Sequence, residues 1–181
     1  SADLFRRMLE VNLVGTFQMI QVFGAPMVER RKGSIVNIGS LYASVSPDQR
    51  FYDHLPGEPP FLKVPSYGAS KAAVKLLTEG LHSELAGTPV RVTVVFPGAV
   101  ATNITTNSGV AIPGGAATDP KAQQRRILPA DAAARMIVDG MERDSFRVLV
   151  GQDARMMDLL YRVTPRRATA FIAKQMRDLL G

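Results

Sequence analysis

Ser34-Ile35-Val36-Asn37-Ile38-Gly39 and Val90-Arg91-Val92-Thr93-Val94-Val95-Phe96 are the stretches on which the fold turns. Each is short, rich in β-branched residues, and closed by Gly39 or by Pro97-Gly98. Mostly apolar runs of this length, lacking strict alternation, fit strands covered on both faces of a parallel sheet. Residues 66–85, between them, read as a helix whose end is marked by Gly87, with Pro89 beyond. Residues 1–30 read as another. Ser1 is placed to cap it and Asp3 favours its first turn. Its apolar residues, from Leu4 and Phe5 through Phe17, Ile20 and Phe23, cover most of its circumference, so it is expected to be largely buried. Pro26 is expected to kink or end it, and Arg31-Lys32-Gly33 to turn the chain.

Further along, Pro129 suits the first turn of a helix over 130–142, and residues 146–150 read as a third strand. The tail, 154–181, reads as helical with a break at Thr164-Pro165. Residues 41–65 hold five prolines and read as a loop, and 101–128, with weak periodicity and Pro113-Gly114-Gly115, as another. Strands alternating with helices predict an α/β fold: a parallel sheet with helices on both faces.

Composition narrows the functions. With 181 residues the chain is expected to form one domain. It has no cysteine, which excludes disulfides, thiolate catalysis and cysteine zinc sites, and it has only two histidines, so no metal site is expected. The net charge of +6 is spread apart from short clusters such as Arg30-Arg31-Lys32 and Arg166-Arg167, without the interleaved aromatics of a nucleic-acid groove. It reads as a solvated surface, with no nucleic-acid partner. No run of 18 strictly apolar residues occurs, and Asp3, Arg6 and Arg7 interrupt the opening apolar residues. Neither a membrane span nor a signal peptide is therefore expected, membrane association is not anticipated, and the expected location is cytoplasmic.

Chemistry concentrates in Tyr67-Gly68-Ala69-Ser70-Lys71. Four-residue spacing puts Tyr67 and Lys71 on one helical face. An adjacent ammonium favours the phenolate, and such a pair can exchange a proton with an alcohol or carbonyl oxygen.

Four segments, in order, resemble the short-chain dehydrogenase/reductase family, short type: Val11-Asn12-Leu13-Val14-Gly15; Gly33 to Ser40; Tyr67-Gly68-Ala69-Ser70-Lys71-Ala72-Ala73; and Val92 to Thr102, with its Pro97-Gly98-Ala99-Val100-Ala101-Thr102. The resemblance implies an NAD- or NADP-dependent oxidoreductase interconverting a secondary alcohol and a ketone. It implies that Tyr67 moves the proton, that Lys71 assists it and holds the nicotinamide ribose, and that Ser40 binds the substrate oxygen. Asn12 would help hold a water in the relay. Pro97, Gly98, Val100 and Thr102 would frame the nicotinamide carboxamide. The implied fold is a Rossmann-like doubly wound sheet, and the implied assembly is a homodimer or homotetramer through residues 2–23 and 66–85.

Two departures stand out. The Gly-rich phosphate-binding turn is absent, so the chain reads as a partial domain, the catalytic half without the dinucleotide-binding first half, and is expected to be inactive alone. Ser40 and Tyr67 lie 27 positions apart, a wider gap than most short-type members have. The insert between them carries Asp48, Asp53, His54 and Glu58, read as polar loop residues. A wide gap also occurs in the extended branch, which keeps a nucleotide-sugar epimerase or dehydratase as an alternative. A non-catalytic oligomerisation unit is another.

Overall fold

A computed structural model describes residues 1–44, 65–102 and 127–178. The inserted loop from Val45 on and most of the 101–128 loop lie outside the described residues, with Asp48, Asp53, His54 and Glu58 among them.

The chain opens with α1 (Ala2–Leu9), a π-helical turn (Glu10–Val14) and α2 (Gly15–Glu29). Ser1 Oγ accepts the Leu4 amide at 3.4 Å, a serine cap on an unpaired first-turn donor. Pro26 sits near the end of α2, Arg30 closes the helix, and Arg31 turns the chain at φ 54°. Strand β1 (Gly33–Ile38) follows, then a 3-10 turn (Leu41–Ala43). After the undescribed insert come α3 (Pro65–Glu84), β2 (Val90–Pro97) and the short β3 (Val100–Ala101). Next are β4 (Leu128–Pro129), α4 (Ala130–Glu142), β5 (Arg147–Val150), α5 (Gln152–Val163) and α6 (Pro165–Asp178).

Among the described residues the main sheet runs β1-β2-β5, all parallel, and β3 pairs with β4 in a second, two-stranded sheet. Gly33 lies against Val90 and Ile38 against Val95, while Val94 to Pro97 lie against Arg147 to Val150. Side chains along a strand alternate between faces. Val95, Val148 and Val150 pack with Ala133 of α4 on one face, joined by Val36. On the other, Asn37 donates to Thr78 Oγ1 of α3 at 2.9 Å, both side chains buried. Helices thus cover both faces, as strand–helix alternation predicts. The bonded Asn37–Thr78 pair explains how a polar residue is accommodated in a buried strand. The tail breaks into two helices at Thr164 and Pro165, the expected place.

The opening helix departs from expectation. It is largely exposed: α1 buries no residue, α2 buries only Gly24, and Val11, Met19, Val22 and Phe23 each stand more than half open. The inner side of α2 packs on β1, where Gly24 lies under Ile35, but no described element covers its outer side. By length and composition the helix Ala2–Glu29 could cross a membrane, its 18-residue apolar stretch having a mean hydropathy of 1.3. Residues 11–28 carry no charge, but Asn, Gln, Thr and Gly interrupt them, so they form no strictly apolar run. On α5, Met156 and Leu159 are about half exposed or more, while Met157 and Leu160 beside them are partly buried.

Candidate active site

The carboxyl end of β1 meets the first turns of α3, where Lys71 bonds Ile38, and ligands bind at the carboxyl ends of strands in open α/β sheets. Ser40 follows β1 and opens the 3-10 turn, its Oγ accepting the Tyr42 amide at 3.2 Å. The Tyr42 ring meets the Tyr67 ring edge-on, with centroids 6.1 Å apart. A Cβ on Gly68 would lie 3.4 Å from the Tyr42 carbonyl oxygen, in ordinary contact, which shows how closely the serine-bearing turn lies on α3. In this way Ser40 and Tyr67, 27 positions apart, are joined through Tyr42.

Lys71 sits one helical turn after Tyr67, its Nζ 6.0 Å from that ring's centroid. Nζ donates to the Ile38 carbonyl oxygen at 3.0 Å, at the last residue of β1. Burial lowers the pKa of this half-buried ammonium below the ordinary lysine value.

Asn12 lies inside the π-helical turn. Its Nδ2 donates to Ser70 Oγ at 3.0 Å, and Ser70 Oγ donates to the Tyr67 carbonyl at 2.9 Å. The Asn12 carbonyl accepts the Thr16 hydroxyl at 2.7 Å. The side chain thus reaches across to α3 rather than to its own backbone, and fastens the opening helix at the turn between Tyr67 and Lys71. Widened turns of this kind recur at functional sites because they re-aim one residue.

Pro97 and Gly98 end β2, with the Gly98 amide donating to the Val150 carbonyl at 2.8 Å. The Val100 side chain packs against the Val95–Ala133 core, and Thr102 is exposed just past β3. His82 is exposed on α3 and its ring lies 4.3 Å from that of Phe146, a packing role away from the site. Among the described residues no three His, Asp or Glu side chains gather as metal ligands would.

Tyr42, Ser70 and Asp153 belong to this neighbourhood and were not singled out from the sequence. Tyr42 is two residues past Ser40, and Ser70 lies inside the Tyr67–Lys71 motif, so proximity was the available signal. Asp153 stands in the sequence only as an acid in the first turn of a helix.

The short chain dehydrogenase family model matches residues 1–52 and 55–111. The chain belongs to the short-chain dehydrogenase family. It is 31% identical over 161 residues to SadH, named as an oxidoreductase, of Mycobacterium tuberculosis, covering 87% of this chain and 53% of that protein. It is 39% identical over 101 residues to galactitol 2-dehydrogenase (L-tagatose-forming) of Cereibacter sphaeroides, covering 56% of this chain and 35% of that one. A short chain dehydrogenase from Burkholderia cenocepacia, solved in complex with NADP, superposes with a TM-score of 0.67 at 23% identity, over 95% of this chain and 60% of its own. That superposition supports the Rossmann-like α/β fold. This short-chain dehydrogenase chain therefore spans about half of SadH, and less of the galactitol enzyme.

Proposed function

We propose that the protein containing this chain is an NAD- or NADP-dependent oxidoreductase interconverting a secondary alcohol and a ketone. The observation that carries this reading is the placement of Tyr67 and Lys71 on one face of α3, at the carboxyl end of β1 and beside the Ser40 turn.

The donor set suits the nicotinamide-ribose end of such a cofactor. A lysine ammonium has three N–H donors, and Ile38 takes one among the described residues, so the others can serve ribose hydroxyls. Pro97, Gly98, Val100 and Thr102 would border the nicotinamide. When bound, the nicotinamide supplies or accepts the hydride. In the oxidative direction, the Tyr67 phenolate takes the hydroxyl proton as the substrate C–H bond breaks and the carbonyl forms. In reduction, the Tyr67 phenol returns the proton. Lys71 Nζ lies 6.0 Å from the Tyr67 ring centroid, close enough to assist Tyr67 while holding the ribose. The Ser40 hydroxyl donates to the substrate oxygen and holds it in reach of Tyr67. Asn12 keeps the Tyr67–Lys71 turn in place through Ser70, and its proposed part in holding a relay water rests on the family resemblance. The assembly proposed is a homodimer or homotetramer through residues 2–23 and 66–85, where Val11 and Leu76 offer exposed apolar surface.

The test uses the full-length protein with NAD, NADP and a panel of secondary alcohols and ketones, followed by nicotinamide absorbance. Tyr67→Phe is expected to lower kcat by at least about 100-fold, the scale of general acid–base catalysis, with cofactor affinity within about twofold. Near-normal turnover in the Phe variant would overturn the assignment.

A further inference from the structure

Asp153, the second residue of α5, lies 54 positions past Ala99, yet its carboxylate is built into the loop that follows β2. Its Oδ2 accepts the Ala99 amide at 2.6 Å. A Cβ on Gly98 would fall inside that same carboxylate. The turn that delivers Asp153 is also unusual. Gly151 has φ +101°, a conformation that L side chains rarely adopt, and a Cβ there would also crowd Asp153 Oδ1. Two glycines from different elements therefore leave the space that one carboxylate fills. On either side the loop has further ties: the Gly98 amide donates to Val150 O at 2.8 Å, and Ala99 O accepts the Leu128 amide at 3.0 Å.

We infer that Asp153 is a positioning residue that clamps the Pro97-Gly98-Ala99 loop and so sets the cofactor-facing segment Val100–Thr102. The inference rests on the proposed nicotinamide-dependent function and extends it to the β5–α5 junction. The physical reason is direct. Carboxylate-to-amide bonds are charge-assisted and short. This one fixes the peptide where the chain leaves the sheet, so the direction taken by Val100 and Thr102 depends on it. No atom of Asp153 takes part in the chemistry, so its loss should affect binding and leave proton transfer alone.

The experiment compares Asp153→Ala, Asp153→Asn, Gly98→Ala and the Gly98→Ala/Asp153→Ala double variant in the full-length protein. It reads amide hydrogen exchange over residues 98–102 without cofactor, NAD(P)H affinity by fluorescence, and kcat against pH. Asp153→Ala is expected to speed exchange at Ala99 and weaken cofactor binding about tenfold, with the kcat–pH profile unmoved. Asp153→Asn keeps an oxygen acceptor and should stay within about twofold of wild type. Gly98→Ala should resemble Asp153→Ala, and the double variant should be no worse than the stronger single one, because both remove the same contact. Unchanged exchange in Asp153→Ala overturns the clamp. Faster exchange with unchanged affinity overturns its bearing on the cofactor. A wild-type protein that binds neither NADH nor NADPH overturns the functional reading itself, and the exchange data then still decide the clamp.

Discussion

Lys71 is half-buried, and its Nζ lies on the Ile38 carbonyl. Burial lowers its pKa in the fold, so across the interval between the folded and unfolded values the folded state holds fewer protons than the unfolded one. Stability then rises with pH through that interval and is flat above it. Below it, the charged and partly desolvated ammonium weighs against folding. Denaturant titration of wild type and Lys71→Met in the full-length protein should show their difference moving in favour of wild type as pH climbs from neutral towards about 10, near the ordinary lysine value. A difference constant over that range would mean that the group is not desolvated in the fold. The same variant should lose both turnover and cofactor affinity, each by about tenfold or more, because one ammonium is proposed to serve Tyr67 and the ribose. Unaltered kinetics would remove Lys71 from the proposed site. Its pairing with Tyr67 was legible in the sequence, since i, i+4 spacing is a local property of any helix. The Ile38 contact was not legible, because it joins residues 33 positions apart.

At the scale of elements, β1 and α3 are tied by the buried Asn37–Thr78 bond, and Thr78 Oγ1 also donates to Val74 O at 2.6 Å. Thr78→Val keeps the volume and leaves the Asn37 amide without its partner. The expected cost is about 1–3 kcal/mol, read by chemical denaturation, with the shape of the kcat–pH profile unchanged. A loss below about 0.5 kcal/mol would indicate that Asn37 finds another acceptor. The helices and strands themselves were readable, most to within a residue or two, from apolar runs, Gly and Pro punctuation and caps. The π-helical turn at Glu10–Val14 was not. Glu10-Val11-Asn12-Leu13-Val14 has no glycine or proline to mark a departure from ordinary α-helix, and in the fold Asn12 there bridges to Ser70 on α3. The pairing of β3 with β4 was also missed, since two-residue strands leave no periodic signal.

At the scale of the molecule, two surfaces stand open. One is the outer side of Ala2–Glu29, with Val11, Met19, Val22 and Phe23 exposed. The other is the outer edge of β1, which has β2 as its only partner among the described residues. Unpaired strand edges beside apolar side chains invite association. Exposed apolar surface forgoes about 25 cal/mol per Å² of burial, against a net stability of only about 5–15 kcal/mol. Residues 1–181 expressed alone should therefore aggregate or dimerise and show no cofactor-dependent turnover. A monomeric, cooperative thermal transition with micromolar NAD(P)H affinity would contradict this. In the full-length protein, Leu76→Asp on the exposed side of α3 should shift the proposed oligomer towards smaller species by light scattering. An unchanged mass would place the interface elsewhere.

What the sequence determined by itself was the kind and order of the elements, the parallel α/β class, and the helical face shared by Tyr67 and Lys71. Each follows from interactions between near neighbours: periodicity, caps, breakers and a four-residue repeat. The tertiary structure alone decided which side of the opening helix is covered, how Ser40 reaches Tyr67 through Tyr42, and why Asn12 points to Ser70. It also decided that Asp153 fills the space left by Gly98 and Gly151. Burial and contact of this kind depend on partners tens of residues away. An apolar residue such as Val22 reads the same in sequence whether another element covers it or, as here, none among the described residues does.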